Sequence, residues 1–103
     1  MSSSIKVRAT LENDTALIRA LIRHPMENGR HKDEITGELI PLNHITEVLC
    51  THNGRPVMTC HLGPGVSRNP SLSFKIKPAR TGDALALSWQ DNLGGSDQLE
   101  VAI

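Results

Sequence analysis

Glu47-Val48-Leu49-Cys50-Thr51-His52-Asn53-Gly54-Arg55-Pro56-Val57-Met58-Thr59-Cys60-His61-Leu62 reads as two β-rich runs folded about Asn53-Gly54. Asn-Gly is the strongest short hairpin signal, because both turn residues take positive φ, which Gly adopts freely and Asn tolerates. A two-residue turn there sets His52 opposite Arg55, Cys50 opposite Val57, Leu49 opposite Met58, Val48 opposite Thr59 and Glu47 opposite Cys60. Side chains alternate faces, so this register sends Cys50 and Cys60 to opposite sides of the ribbon and predicts two unbridged thiols.

The alternation extends to both sides of this hairpin. Ile5, Val7, Ala9 and Leu11 face one way, while Lys6, Arg8 and Thr10 face the other, which is a half-buried antiparallel strand closed by a turn at Asn13-Asp14. Thr15 to Arg23 fits both a helical stripe and period two. Its place after a turn, and its run into His24-Pro25, favour a strand, since the residue before proline is pushed to extended geometry. Downstream, Leu72, Phe74 and Ile76 alternate with polar neighbours, as do Leu85, Leu87 and Trp89, and then Leu99, Val101 and Ile103. About seven short strands with turns between most of them predict an all-β chain, an immunoglobulin-like antiparallel β-sandwich. The antibody-type Cys…Trp…Cys order is missing, because Trp89 follows both cysteines.

One interval breaks the rhythm. His24 to His44 is long and polar, with Asn28-Gly29, the cluster Arg30-His31-Lys32-Asp33-Glu34, Gly37 and Pro41. Loops this long inside a small domain are uncommon and are usually functional or mobile. Leu39-Ile40 is expected to pin it to the core, with a short helix near Pro41 to Ile45, and Met26 beside Pro25 reads as exposed. Gly63 to Pro70 reads as a stiff connection.

Composition bounds the function. The 103 residues suffice for one domain, residues 1–103, which buries about 65% of its unfolded surface. Eleven basic and eleven acidic residues balance, which argues against nucleic acid or an anionic membrane as the main partner. With one Phe, one Trp and no Tyr the core must be aliphatic. Met1-Ser2-Ser3-Ser4 leads straight into a strand without an apolar stretch or cleavage site, so no export signal is expected. No apolar run approaches membrane-spanning length.

The chemical inventory is thin. Five histidines are present, and His24, His31 and His44 sit in or beside the long loop, where they could converge on a metal or small ligand. Their spacing does not force it, and solvated loop histidines are the plainer reading. Cys60 beside His61 is a candidate reactive thiol, set against the reading of Cys50 and Cys60 as small core residues. Gly63-Pro64-Gly65-Val66-Ser67 matches neither a nucleophile elbow nor a phosphate loop. No catalytic residue, cofactor or metal site is assigned from the sequence, and the polar loop points to docking.

A series of motifs resembles the sulfur-oxidation SoxZ family. It runs His24-Pro25-Met26-Glu27-Asn28-Gly29, Lys32-Asp33, Ile40-Pro41, His52-Asn53-Gly54, Ser67-Arg68-Asn69-Pro70, Phe74-Lys75, Gly82-Asp83 and Trp89-Gln90-Asp91. These are colinear over nearly the whole chain. Departures are His44 where the family usually has Phe, Ser71 where it often has Tyr, and Ile76 where a second Phe is common.

The resemblance implies an immunoglobulin-like sandwich that is not an enzyme and pairs with a SoxY-type subunit. That partner carries the sulfur intermediates of thiosulfate oxidation on a cysteine in a Gly-rich C-terminal arm. The heterodimer then presents the arm to several sulfur-oxidation enzymes in the periplasm, exported folded on the partner's signal. His24, Pro25, Met26, Asn69 and Pro70 are the candidate partner-facing positions. Alone, a chain with an uncovered pairing face can dock to its own copy.

Overall fold

The computed structural model describes residues 3–103. Met1 and Ser2, the start of the N-terminus expected to lack an export signal, lie outside them. Seven strands form: β1 (Ile5–Glu12), β2 (Thr15–Ile22), β3 (Ile45–His52), β4 (Arg55–His61), β5 (Ser71–Ile76), β6 (Ala84–Asp91) and β7 (Ser96–Ala102). They build two antiparallel sheets, β1-β2-β5 and β4-β3-β6-β7, with no helix among the described residues. Relative to an antibody constant domain, the fourth strand has moved to the sheet of the third.

Period two settles the ambiguous second segment. Ala16, Ile18, Ala20 and Ile22 are buried, while Arg19 and Leu21 are exposed. From the facing sheet Ile45, Val48, Cys50, Leu85 and Leu87 close the core. Each large aliphatic chain buried there contributes about 1.5–3 kcal/mol. Trp89 and Phe74 sit at the margins, half-buried, so the core is aliphatic as the composition requires.

The Asn53-Gly54 turn forms as read, with φ of 52° and 80°. The register beyond it does not. His52 opposes Arg55 and Thr51 opposes Pro56, but a bulge then puts Met58 opposite Cys50, Thr59 opposite Leu49 and Cys60 opposite Val48. The unbulged register would have turned Thr59 and His61 into the core and Met58 and Cys60 out to water. An extra residue at Val57, which is exposed, reverses that. Cys50 and Cys60 therefore share the core face, contrary to the parity argument, and both thiols are free. Distance keeps them apart: diagonal cross-strand neighbours lie about 7–8 Å apart, beyond the Cα separation a disulfide bridges.

The long dimension of the molecule is 53 Å. An eight-residue strand covers only about 27 Å. The expected helix near Pro41 is absent, since Ile45 already begins β3. Instead the loop is a two-tiered finger. Glu27 bridges Asn43 at its base, and Lys32 bridges Leu39 further out. Asp33 shapes the tip, its carboxylate accepting the amides of Ile35 (2.8 Å) and Thr36 (3.0 Å). Leu39 is exposed and does not pin the finger to the core, and Ile35 at the tip is 94% exposed.

Candidate functional site

The base of the finger is where the distant motifs converge. β2 delivers His24 to the end of the sandwich at which β6 ends, so His24 meets Asp91. His24 Nε2 lies 3.0 Å from Asp91 Oδ2, with both side chains buried. The amide of Met26 donates to His24 Nδ1 at 3.1 Å. Nδ1 is thereby an acceptor, so the ring proton sits on Nε2 and is donated to the carboxylate. The ring also stands edge-on to Trp89, with centroids 5.1 Å apart at 84°.

Asp91 is charged in a poor place for charge. Burial opposes ionisation, but donation from His24 and from the amides of Gly95 and Leu93 outweighs it and holds the carboxyl below its ordinary range. Asp91 Oδ1 accepts the Gly95 amide at 2.6 Å and the Leu93 amide at 3.0 Å. A Cβ on Gly95 would lie 2.5 Å from Asp91 Oδ2, so only glycine lets the turn close on the carboxylate.

Three neighbouring segments lock onto this centre. Asn69, at φ 54°, faces His24 with both backbone and side chain: His24 N donates to Asn69 Oδ1 (3.0 Å), and Asn69 N donates to His24 O (3.0 Å). Asn92 holds the exit of the finger, accepting the His44 amide (2.7 Å) and donating to Leu42 O (2.8 Å). Trp89 Nε1 donates to Ser4 Oγ (3.0 Å), and Ser4 Oγ donates to Asp97 Oδ2 (2.6 Å). The Ser4 hydroxyl and amide, with the Gln98 amide, bring Asp97 down to about 2.

A family model described as "Sulphur oxidation protein SoxZ" matches residues 5–102. The chain belongs to the SoxZ family. No curated protein sequence matches it.

SoxZ membership ties the chain to sulfur oxidation, and the structure shows how the motifs of the SoxZ-like series fit together. His24-Pro25-Met26, Asn69-Pro70 and Trp89 to Asp91 form the knot just described. At the opposite end His52 Nε2 lies 2.8 Å from Asp83 Oδ2, and Asn53 caps β6 by accepting the Ala84 amide at 2.8 Å. Donation from His52, joined by the Arg80 amide, lowers Asp83.

Of the five candidate docking residues, His24, Met26 and Pro70 are buried, whereas Pro25 and Asn69 are exposed. Met26, expected at the surface, is only 5% exposed, and its sulfur accepts the Ile45 amide at 3.3 Å. The reason is positional: two residues beyond His24, at φ 49°, its side chain turns back under the finger. Beside Pro25 a cleft of about 270 Å³ opens between the finger base and the Gly63–Pro70 connection, lined by Glu27, Asn28, His31, Val66 and Arg68.

The loop histidines go separate ways. His24 is engaged by Asp91, His31 is exposed and pairs with Glu27 (2.8 Å), and His44 is buried with Nδ1 unpartnered. Among the described residues no group of three His, Cys, Asp or Glu side chains is placed to hold a metal ion. Nor does the His24–Asp91 pair offer a base to a substrate, because both ring nitrogens are spent and the ring is covered. Burial pushes the Cys50 thiol up to about 11, while Cys60 packs half-covered against the core. Sequence reasoning missed the knot because its members share no local spacing; their only common signal was membership of one motif series.

Proposed function

We propose that this chain is the non-catalytic subunit of a periplasmic sulfur carrier, pairing with a SoxY-type polypeptide whose cysteine bears the sulfur intermediates of thiosulfate oxidation. The observation that carries this reading is the state of its own thiols. Cys50 is fully buried with its thiol pushed up to about 11, and Cys60 is packed against the core. A carrier sulfur needs a reactive thiolate on a segment free to reach several enzymes. Cys50 is buried and Cys60, though half-exposed, is fixed within strand β4, so within a SoxZ-family assembly the sulfur belongs on another chain. The sandwich contributes rigidity, and the end bearing Pro25, Asn69 and the cleft beside them contributes a surface held in place from beneath by the His24–Asp91 knot. Contacts with the sulfur-oxidation enzymes are then made by the assembled pair.

Co-expression with a SoxY-type chain is expected to yield a stable heterodimer, and mass spectrometry after thiosulfate turnover should find added sulfur on the partner alone. A persulfide or thiosulfonate on Cys50 or Cys60, or two chains that never associate, would remove the reading.

A further inference from the structure

The zero net charge of the sequence conceals a segregation between the sheets. The strands of the β1-β2-β5 sheet carry Lys6, Arg8, Arg19 and Lys75 against Glu12 alone. The strands of the other sheet carry Glu47, Asp91, Asp97 and Glu100 against Arg55 alone. All four cations of the smaller sheet are exposed on its outer face, with Glu12 confined to the last rung. Among the described residues the ion pairs involve histidines, and no lysine or arginine is paired.

The register sharpens this. Arg8 stands directly across from Arg19, and Arg19 across from Ser73. Like charges on facing cross-strand positions destabilise a sheet, and nothing in the fold needs either side chain, since both point to solvent. The next rungs set Lys6 and Ser71 beside Leu21, and Thr10 and Lys75 beside Leu17. A shallow trough of about 590 Å³ runs over the Arg8-Arg19-Ser73 and Lys6-Leu21-Ser71 rungs.

We propose that this face is a docking surface for the carboxylate-bearing face of another protein. Guanidinium groups match carboxylates in bidentate geometry, and Leu17 and Leu21 between the cations supply the apolar area that a protein interface uses. A nucleic acid or an anionic bilayer selects a broad, strongly basic surface, whereas here four cations are interspersed with Leu17 and Leu21 on a chain of zero net charge. The contact is electrostatic and shallow, hence fast and salt-sensitive. It is separate from the carrier-subunit reading and is tested on the isolated chain.

The test titrates the ¹⁵N-labelled chain with poly-L-glutamate, and in parallel with a DNA duplex and with phosphatidylglycerol vesicles. Poly-L-glutamate is expected to shift the Lys6, Arg8, Arg19 and Ser73 amides. The effect should fade as ionic strength rises from about 0.01 to 0.15 M, where screening shortens from about 30 to 8 Å. Arg8→Glu should weaken this binding about tenfold while raising thermal stability, because it replaces a repelling cross-strand pair with an attracting one. Unchanged binding in Arg8→Glu, a fall in its stability, shifts confined to other faces, or tighter binding of DNA or vesicles at equal charge would each overturn the proposal.

Discussion

His24 and Asp91, 67 residues apart in the chain, meet at 3.0 Å in a buried pair whose remaining valences are all filled by backbone amides. The finger's entry and the β6–β7 turn are thereby tied to one carboxylate, and Asn69 of the Gly63–Pro70 connection holds the backbone of the same histidine. Removing the carboxylate leaves the buried His24 ring N–H and the partly buried Gly95 amide without an acceptor, and Asp91→Ala is expected to cost about 2–3 kcal/mol. At about 4–8 °C per kcal/mol, calorimetry resolves this readily. Asp91→Asn, which keeps an acceptor, should cost less.

Gly95→Ala places its methyl against the same carboxylate and is expected to cost about 1–3 kcal/mol. In the Asp91→Ala background the obstruction is gone, so the substitution should become nearly neutral. A double-mutant cycle by urea unfolding measures the coupling; additive costs would mean that Gly95 is needed for some other reason.

Asn69 combines a left-handed backbone with a side-chain acceptor for the His24 amide. Asn69→Ala loses both, at about 1–2 kcal/mol for the conformation and about 1 kcal/mol for the hydrogen bond. Asn69→Gly restores the conformation alone and is expected to fall between wild type and alanine. The order of the urea midpoints decides it.

Acid should loosen the end of the sandwich that holds Ser4 and Asp97. Asp97 titrates at about 2 in the folded chain against an ordinary 3.8, and Asp91 and Asp83 are shifted the same way. A depressed folded value contributes stability that is complete above the unfolded value and is lost as pH falls through the folded one. Stability is therefore expected to be flat above about pH 5 and to drop from about pH 4 toward 2. Asp97→Asn should flatten part of that drop in urea midpoints measured across the window.

The two thiols should differ in reactivity. Cys60 is half-exposed on an edge strand, and Cys50 is fully buried with its thiol at about 11. A thiol reagent at mildly alkaline pH is expected to label Cys60 in the native chain, and Cys50 only when the protein unfolds. Peptide mass mapping with and without urea reads both.

Much of the architecture was legible because alternation is a local property. Ile5 to Leu11, and Ala16 to Ile22, show their buried faces in the order of their residues. The Asn53-Gly54 turn was legible for the same reason. Its register was not, since the bulge answers a demand made by the far sheet, that Met58 and Cys60 face inward, and the turn alone carries no trace of it. The candidate site was legible only as a set of motifs. Nothing local to His24 announces a carboxylate arriving from Asp91, so a buried ring looked like a loop histidine, and Met26 beneath it looked exposed.

The finger's fastenings cluster at its root: Glu27 with Asn43, Leu42 and His44 with Asn92. Beyond Lys32 and Leu39 the chain is tied only to itself. Length and chemistry at that extremity can therefore drift between homologues at little expense to the sandwich. Ile35 sits at that extremity with almost all of its side chain in water, so exchanging it should leave the folding of the sandwich nearly untouched.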